Sequence, residues 1–575
     1  MSWQETYEIW KNEPTLEPAL KQALVALADD SKALEDAFYA PMEFGTAGMR
    51  GIMGPGINRM NDYTVRQATE GLARLMDTLD PATKQRGVAI SFDSRYHSED
   101  FAHEAARVLG AHNIPSFVFD DLRPTPELSF AVRHLKAYAG IMITASHNPK
   151  QYNGYKIYGA DGGQMPPKEA DQIIGYVRQV TDLFGIKVAA ETDLRQSQLL
   201  RIIGEDVDEV YLEEIKSVTI NRELVEKVGR QMSLVYTPLH GTGKMIGSQA
   251  LRQAGFNQFK LVPEQAVIDP EFPTVDFPNP EFPQAFDLAI ALGKKTGADL
   301  LVATDPDADR LGTAVRLPNG DYQLLNGNQI ASLMLDYILR ANQAAGTLPA
   351  NAVAIKSIVS TELATKIAEH YGVKMLNVLT GFKYIGEKIH QYEQDHSQTY
   401  MFGFEESYGS LVKPFVRDKD AIQGVLLLAE IAAYYREQGK TLYDGVQDLF
   451  KTYGYYAEQT TSETFTGVAG VEEMQTLMKR FREEQPADFA GSQVVAVEDF
   501  STQTETKANG ETVAITLPKA NVLKYHLADH TWIAIRPSGT EPKIKFYVGT
   551  VGDNEAHAQE KLAAYAQALK DFAQA

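Results

Sequence analysis

The sequence predicts three consecutive α/β domains with mixed, mostly parallel sheets, followed by a C-terminal α+β domain with an antiparallel sheet. Three observations carry this expectation. The chain has 575 residues, too many for one hydrophobic core. From about residue 61 to 453, short apolar runs alternate with segments of helical period, as in parallel strands joined by crossover helices. From about 454 the strand-like runs lie close together without regular crossover helices, which points to an antiparallel sheet. The expected domains are 1–204, 205–320, 321–453 and 454–575.

The elements follow in order. Residues 3–36 read as helical, with Leu20, Leu24, Leu27 and Leu34 at helical spacing. The loop Glu43–Gly51 has three glycines and can present Arg50 to an anion. A helix over about 61–79 leads to the strand Gly87–Phe92, which ends in Asp93-Ser94-Arg95. A second helix, about 98–110, precedes the strand Pro115–Phe119, and the apolar run Ala139–Ile143 is a buried strand. It stops at Thr144-Ala145-Ser146-His147-Asn148-Pro149, because Pro149 cannot continue a ladder. In the second domain, Ser233–Tyr236 ends in Thr237–Gly243, and Leu300–Ala303 runs into Thr304–Arg310. Between them, Phe272–Pro283 carries four prolines and reads as an irregular surface loop. The third domain has strands at 352–359 and 373–378, the loops Leu379–Lys383 and Glu405–Gly409, and a helix over about 420–438. The fourth combines strand-like runs near 494, 513, 532 and 544 with helices at 470–484 and 554–573.

Composition narrows the function. Apolar residues at 44% and charged residues at 23% are those of an ordinary soluble globular protein. A net charge of −21 argues against a nucleic-acid or anionic-membrane surface, while leaving room for a local basic pocket. With no cysteine, disulfides, thiolate metal sites and cysteine nucleophiles are excluded, and a cytoplasmic location is expected. The N-terminus lacks the basic and apolar regions of a signal peptide. The longest apolar run, near 425–435, is interrupted by Glu430 and reads as a core helix rather than a membrane span.

The chemistry gathers in loops at strand ends. Ser146 lies among His147, Lys150 and Lys156, donors that suit a phosphoryl group on its oxygen. Asp305, Asp307 and Asp309 share one face of an extended chain and converge on one cation only if the loop curls. Crowded carboxylates raise one another's pKa unless a cation compensates, and all-oxygen ligands favour Mg²⁺. A twelve-residue calcium loop does not fit, because Arg316 stands where its closing glutamate belongs. Arg310 adds positive charge beside these aspartates. Arg536-Pro537-Ser538-Gly539-Thr540 has the parts of a phosphate cradle. A serine hydrolase would leave the aspartate loop unexplained, and no Gly-x-Ser-x-Gly surrounds Ser146. Phosphoryl transfer uses every part.

These four motifs, Thr144–Pro149, Asp305-x-Asp307-x-Asp309-Arg310, Glu405-Glu406-Ser407 and Arg536-x-Ser538-Gly539-Thr540, resemble those of the α-D-phosphohexomutase superfamily, in the same order and across essentially the whole chain. Glu43–Gly51 and Phe402–Ser407 resemble the branch that groups bacterial α-phosphoglucomutases with phosphopentomutase and glucose-1,6-bisphosphate synthase. The resemblance implies four domains around one central cleft and an enzyme that interconverts α-glucose 1-phosphate and glucose 6-phosphate. It implies that Ser146 carries the phosphoryl group and, with Asp305, Asp307 and Asp309, binds Mg²⁺. Glucose 1,6-bisphosphate would be both intermediate and activator. His147 and Lys156 are implied as proton-transfer groups and Arg50 as an electrostatic stabiliser. Thr380, Gly381, Glu405, Ser407 and Lys419 would meet the sugar, Arg310 the substrate, and Arg536, Ser538, Gly539 and Thr540 the non-reacting phosphate. Pro306, Phe404 and Tyr408 depart from a pattern in which glycine is usual. Pentose or mannose phosphates remain rival substrates, and a bisphosphate synthase and a non-catalytic phosphosugar-binding protein remain rival functions. A monomer and a dimer fit equally.

Overall fold

Three mixed sheets with parallel central strands and one antiparallel sheet make up the computed structural model, which describes residues 2–43, 48–165, 167–465, 467–537 and 543–574. The first sheet runs Met49–Ile52, Tyr152–Tyr158, Ala139–Ile143, Val88–Phe92, Ser116–Phe119, Leu200–Ile203. Val88–Phe92 and Ala139–Ile143 are buried throughout, as expected of strands covered on both faces. They pair in parallel, with Phe92 beside Ile143, so Asp93–Arg95 and the serine loop leave the sheet at the same edge. Tyr152–Tyr158 returns antiparallel to Ala139–Ile143 and sets Lys156 opposite Met142.

The second and third sheets repeat this plan. Leu300–Thr304 is parallel to Leu234–Thr237 and antiparallel to Leu311–Arg316, so the aspartate loop is the hairpin between Thr304 and Leu311. Tyr322–Leu325 pairs with Leu311–Arg316, which carries the second sheet past residue 320. In the third sheet, Ala352–Ser357 lies parallel to Lys374–Val378 and Thr399–Phe404. Thr399–Phe404 turns back antiparallel through Ser410–Leu411, and Glu405–Gly409 is that hairpin. Every pairing of the fourth sheet is antiparallel.

One apolar cluster crosses the first three units, from Ala89 to Phe450, and the fourth has its own. A smaller cluster of Ile358, Val359 and Leu379 with Trp532 and Tyr547 joins the third unit to the fourth. Beside it Lys524 Nζ donates to the Ile358 carbonyl at 2.8 Å, and burial pushes that lysine down to about 8. The N-terminal segment forms three helices, Trp3–Asn12, Pro18–Ala26 and Ser31–Phe38, around Trp10, whose ring meets Phe38, Tyr63 and Phe184 edge-on. Among the described residues no helix is long and apolar enough to cross a membrane.

The proline-rich loop Phe272–Pro283 differs from expectation. It is irregular, but it folds inward: Phe272 and Asn279 are 2% and 3% exposed. Its prolines prevent a ladder, and Phe272 is buried while Phe277 and Phe282 stay at the surface, 46% and 45% exposed.

The helix Ala421–Glu437 is buried on nearly every face, which accounts for its apolar composition. Its one acidic group inside that core, Glu430, accepts hydrogen bonds from the Ile220 and Asn221 amides at 2.9 and 2.7 Å and from Tyr337 O–H at 2.7 Å. Glu430→Gln replaces one acceptor oxygen by an amide donor facing these donors. We expect it to destabilise the fold by roughly 1–3 kcal/mol, read as a lower denaturant midpoint; an unchanged midpoint would show that this staple contributes nothing.

Candidate active site

The three hairpin loops meet. Ser146 is 2% exposed, and its Oγ donates to Asp305 Oδ2 at 2.7 Å while lying 3.1 Å from His147 Nδ1. Ser146 has φ of 51°, a left-handed conformation uncommon for a residue with a Cβ. Ala308 and Tyr408, at 53° and 67°, occupy the same region in the other two loops. Such strain persists where surrounding contacts over-determine it. Around Ser146 those contacts are visible: its amide donates to Thr144 Oγ1 at 2.8 Å, and Thr144 Oγ1 donates to Asp93 Oδ2 at 2.6 Å.

The aspartate loop curls as convergence requires. The Ala308 amide reaches back to the Asp305 carbonyl at 2.9 Å, and the Asp309 and Arg310 amides donate to Asp305 Oδ1 at 3.1 and 3.0 Å. Carboxylate oxygens of Asp305, Asp307 and Asp309 thereby come within 4.8 Å of one another, all buried. The outward carbonyls of the loop are taken by three helix N-termini. Thr242, which caps Gly243–Ala254, donates from its amide to the Pro306 carbonyl at 2.8 Å. Thr125, opening Thr125–His134, donates to the Asp307 carbonyl at 2.9 Å, and Ala421, opening Ala421–Glu437, to the Ala308 carbonyl at 3.1 Å. The positive ends of three helices, one from each α/β unit, thus face the acidic loop. Gly241 permits this approach, since a Cβ there would lie 2.3 Å from Pro306 Cα.

Two lysines complete the balance. Lys156 Nζ lies 3.0 Å from Asp307 Oδ2 and 3.9 Å from Asp309 Oδ2, and Lys419 Nζ lies 3.1 Å from Asp309 Oδ2 and from Asp418 Oδ1. Burial, reinforced by the other two carboxylates, pushes Asp305 well above the usual range. Burial also raises Asp309, with Asp307 adding to it and the lysines opposing. Asp307 suffers the same burial, but Lys156 and the hydrogen bonds from Asp305, Lys156 and Thr125 hold it below the usual range. The protein's own cations therefore neutralise only part of the triad. Asp307 Oδ1 and Asp309 Oδ1 are buried with no hydrogen-bond partner. Such an all-oxygen set, with orphaned acceptors, fits a hard divalent cation.

The structure places the remaining predicted residues as follows. Arg50 Nη1 donates to Asn148 Oδ1 at 2.8 Å, beside the serine loop. Arg310 Nη1 donates to Glu281 Oε1 at 2.6 Å and to the Ser407 carbonyl at 3.0 Å, joining the aspartate and sugar loops. Glu405 Oε1 accepts the Gly381 amide at 2.7 Å, and Thr380 Oγ1 is buried with no protein partner. Arg536 is the next-to-last residue of the strand Trp532–Pro537, its Nε buried and without a partner, with Lys545 opposite in the register. Ser538, Gly539 and Thr540 lie outside the described residues. Sequence reasoning assigned no role to Asp93, Arg95, Thr125, Glu281 or Phe272. Asp93-Ser94-Arg95 stood out at a strand end, and Phe272 and Glu281 lay in the proline-rich loop that reads as surface.

Similarity to known proteins agrees with this geometry. The chain matches the family described as phosphoglucomutase/phosphomannomutase in four parts: alpha/beta/alpha domain I over residues 41–183, domain II over 209–318, domain III over 326–453 and the C-terminal domain over 478–568. It is 41% identical to a phosphoglucomutase of Staphylococcus epidermidis over 91% of this chain and 93% of the relative. It is 40% identical to a phosphoglucomutase of Staphylococcus aureus over 92% and 93%. Its fold resembles that of parafusin, a Paramecium phosphoglucomutase in its open form, with a TM-score of 0.67 at 17% identity, covering 93% of this chain and 95% of that one. A phosphoglucomutase/phosphomannomutase family protein of Burkholderia thailandensis gives 0.64 at 18% identity, covering 92% and 97%.

Burial, with Arg310 and Arg50 adding to it, holds the His147 imidazole well below its ordinary 6.5. His147 is therefore neutral at pH 7. The unfolded chain accepts a proton there that the folded one refuses, so the group removes stability as pH falls below about 6.5 and has no such effect above it. In histidine-selective NMR, with His147→Gln to assign the signal, we expect the neutral form from pH ~8 down to ~6.5. A midpoint at or above 6.5 would contradict this.

Proposed function

Since the chain belongs to the phosphoglucomutase/phosphomannomutase family, we propose that it interconverts α-glucose 1-phosphate and glucose 6-phosphate, with Ser146 relaying the phosphoryl group. The observation that carries this reading is the Ser146 hydroxyl 2.7 Å from Asp305, at the edge of a buried carboxylate triad. A free sugar hydroxyl attacks the phosphorus of phosphorylated Ser146. The bond from phosphorus to Oγ breaks, and the hydroxyl's proton passes to a base. Glucose 1,6-bisphosphate results. After it turns over in the cleft, Ser146 Oγ takes the other phosphoryl group and the isomer leaves.

Each residue has a role in this scheme. Neutral His147, 3.1 Å from Ser146 Oγ, is suited to accept or return a proton there. Lys156 is the second candidate for proton transfer; its ammonium also lies against Asp307, where it compensates charge. Arg50 stabilises the anionic phosphoryl group. Asp305, Asp307 and Asp309, with the phosphate on Ser146, would hold Mg²⁺, which supplies positive charge to the transferring group. Glu405, with Ser407, Lys419 and the Thr380-Gly381 turn, receives the sugar hydroxyls. A carboxylate accepts from any hydroxyl that reaches it, which suits a site that must hold the sugar in two opposite poses. Arg310 steadies the substrate from the aspartate loop. Arg536, with the Ser538–Thr540 segment, takes the non-reacting phosphate, and its unpartnered Nε supports that role. A chain with no cysteine and no membrane-spanning helix among its described residues fits work in the cytoplasm on small phosphosugars.

Initial rates with Mg²⁺ on glucose 1-phosphate, mannose 1-phosphate, ribose 1-phosphate and deoxyribose 1-phosphate, with and without the matching bisphosphate, test the reading. We expect the highest kcat/KM on glucose 1-phosphate and activation by its bisphosphate. A preference for pentose or mannose phosphates would replace the substrate, and no turnover of any would overturn the enzyme. Ser146→Ala is expected to remove nearly all mutase activity, because it deletes the covalent relay; substantial residual turnover would refute that role. Asp307→Ala is expected to weaken Mg²⁺ binding in calorimetry and to lower kcat by at least about tenfold. An unchanged Mg²⁺ isotherm would remove the triad from the metal site.

A further inference from the structure

Arg95 makes five side-chain hydrogen bonds beside the serine loop, and the scheme above leaves it unused. It is buried, and its Nε donates to Asp93 Oδ2 at 3.2 Å. Nη1 donates to the carbonyls of Pro149 and Tyr152 at 2.9 and 3.1 Å, and Nη2 to those of Ser146 and Asn148 at 2.5 and 2.6 Å. A guanidinium has five N–H groups, and all five are spent, four of them on the backbone of a single loop. The carbonyls of that loop turn inward to one cation, while the Ser146 hydroxyl turns outward to Asp305. A lysine has three donors and no fixed fork, so it cannot hold this set.

The open face of the guanidinium is covered from the second unit. Phe272 packs its ring over it, 5.1 Å from the guanidinium carbon to the ring centroid. Phe272 is 2% exposed and holds φ of 46°, a left-handed conformation uncommon for a bulky residue. That loop is anchored by His240, which contacts the Val267 carbonyl through Nδ1 and Thr274 Oγ1 through Nε2, both at 2.8 Å. A carbonyl can only accept, so Nδ1 carries the proton and Nε2 receives the Thr274 hydroxyl. His240 belongs to the same Leu239–Gly243 turn whose Thr242 grips the aspartate loop at Pro306. One turn of the second unit is thereby tied to both reacting loops.

We infer that Phe272 and Arg95 are positioning residues that fix the Ser146 loop against the aspartate loop, with Phe272 acting across the boundary between the first two units. This rests on the phosphoryl-relay reading for its effect on rate. In-line transfer needs the serine oxygen held to within a fraction of an ångström, and misplacement by about 1 Å costs on the order of a hundredfold. Sugar binding is assigned to other loops, so loosening this clamp lowers kcat and leaves KM in place.

The test uses the full chain with Phe272→Leu, which conserves apolar volume but removes the aromatic face, and Phe272→Ala. Two readouts are taken: steady-state kinetics on glucose 1-phosphate, and amide hydrogen exchange. For Phe272→Leu we expect kcat down about tenfold with KM within twofold, and exchange in residues 145–152 at least about tenfold faster, while the strand 88–92 keeps wild-type protection. Wild-type kcat, or a lower kcat with unchanged exchange in 145–152, would overturn the inference. So would faster exchange with wild-type kcat. If Phe272→Ala does not fold, Phe272→Leu decides. Exchange is readable whether or not the wild type turns over any sugar phosphate. An inactive wild type sinks the proposed reaction, while unchanged exchange sinks the clamp.

Discussion

Three carboxylates buried in one five-residue turn are the constraint on which the rest of this structure depends. Left alone they repel, and burial penalises each charge further. The fold answers with Lys156, Lys419, Arg310 and the N-termini of three helices. Those helices come from three different α/β units, so the loop cannot be satisfied by its own domain. The groups that compensate the aspartates thus come from all three units.

This arrangement gives the cleft its rigidity. Consecutive carbonyls at Pro306, Asp307 and Ala308 are held by Thr242, Thr125 and Ala421, and the Leu311 amide donates to the Tyr408 carbonyl at 3.0 Å. The aspartate and sugar loops are therefore joined through the backbone, and the serine loop reaches the aspartate loop through the Ser146 hydroxyl on Asp305. The left-handed residues Ser146, Ala308 and Tyr408 are strained turns that this network maintains. The fourth unit is attached differently, through a small apolar patch and the buried Lys524 contact.

The same geometry explains why the balance of charge is incomplete. The lysines serve Asp307 and Asp309 directly, and Asp305 is left with the serine hydroxyl and two amides. A site neutralised completely by its own side chains would have no use for a cation; this one keeps orphaned oxygens facing inward. The lysines thus stabilise the loop while leaving its ligand atoms available.

Local chemistry was legible from the residues alone. The alternation of strand and helix gave the three α/β units, its loss near residue 454 gave the antiparallel fourth, and the serine, aspartate and glutamate motifs marked the loops that meet around the triad. These are short-range signals, written in periodicity and in residues adjacent along the chain. What the sequence could not supply was the partner of each group. Asp93-Ser94-Arg95 reads as a strand end, and only the parallel register of Phe92 beside Ile143 brings Arg95 beneath the serine loop. The proline-rich loop reads as surface, and only the packing of two units buries Phe272 on that guanidinium. Thr125, Thr242 and Ala421 carry no motif, because a backbone amide at a helix start donates whatever side chain it bears. Residue type determined which chemistry was present; the long-range contacts of the tertiary structure decided which groups share it.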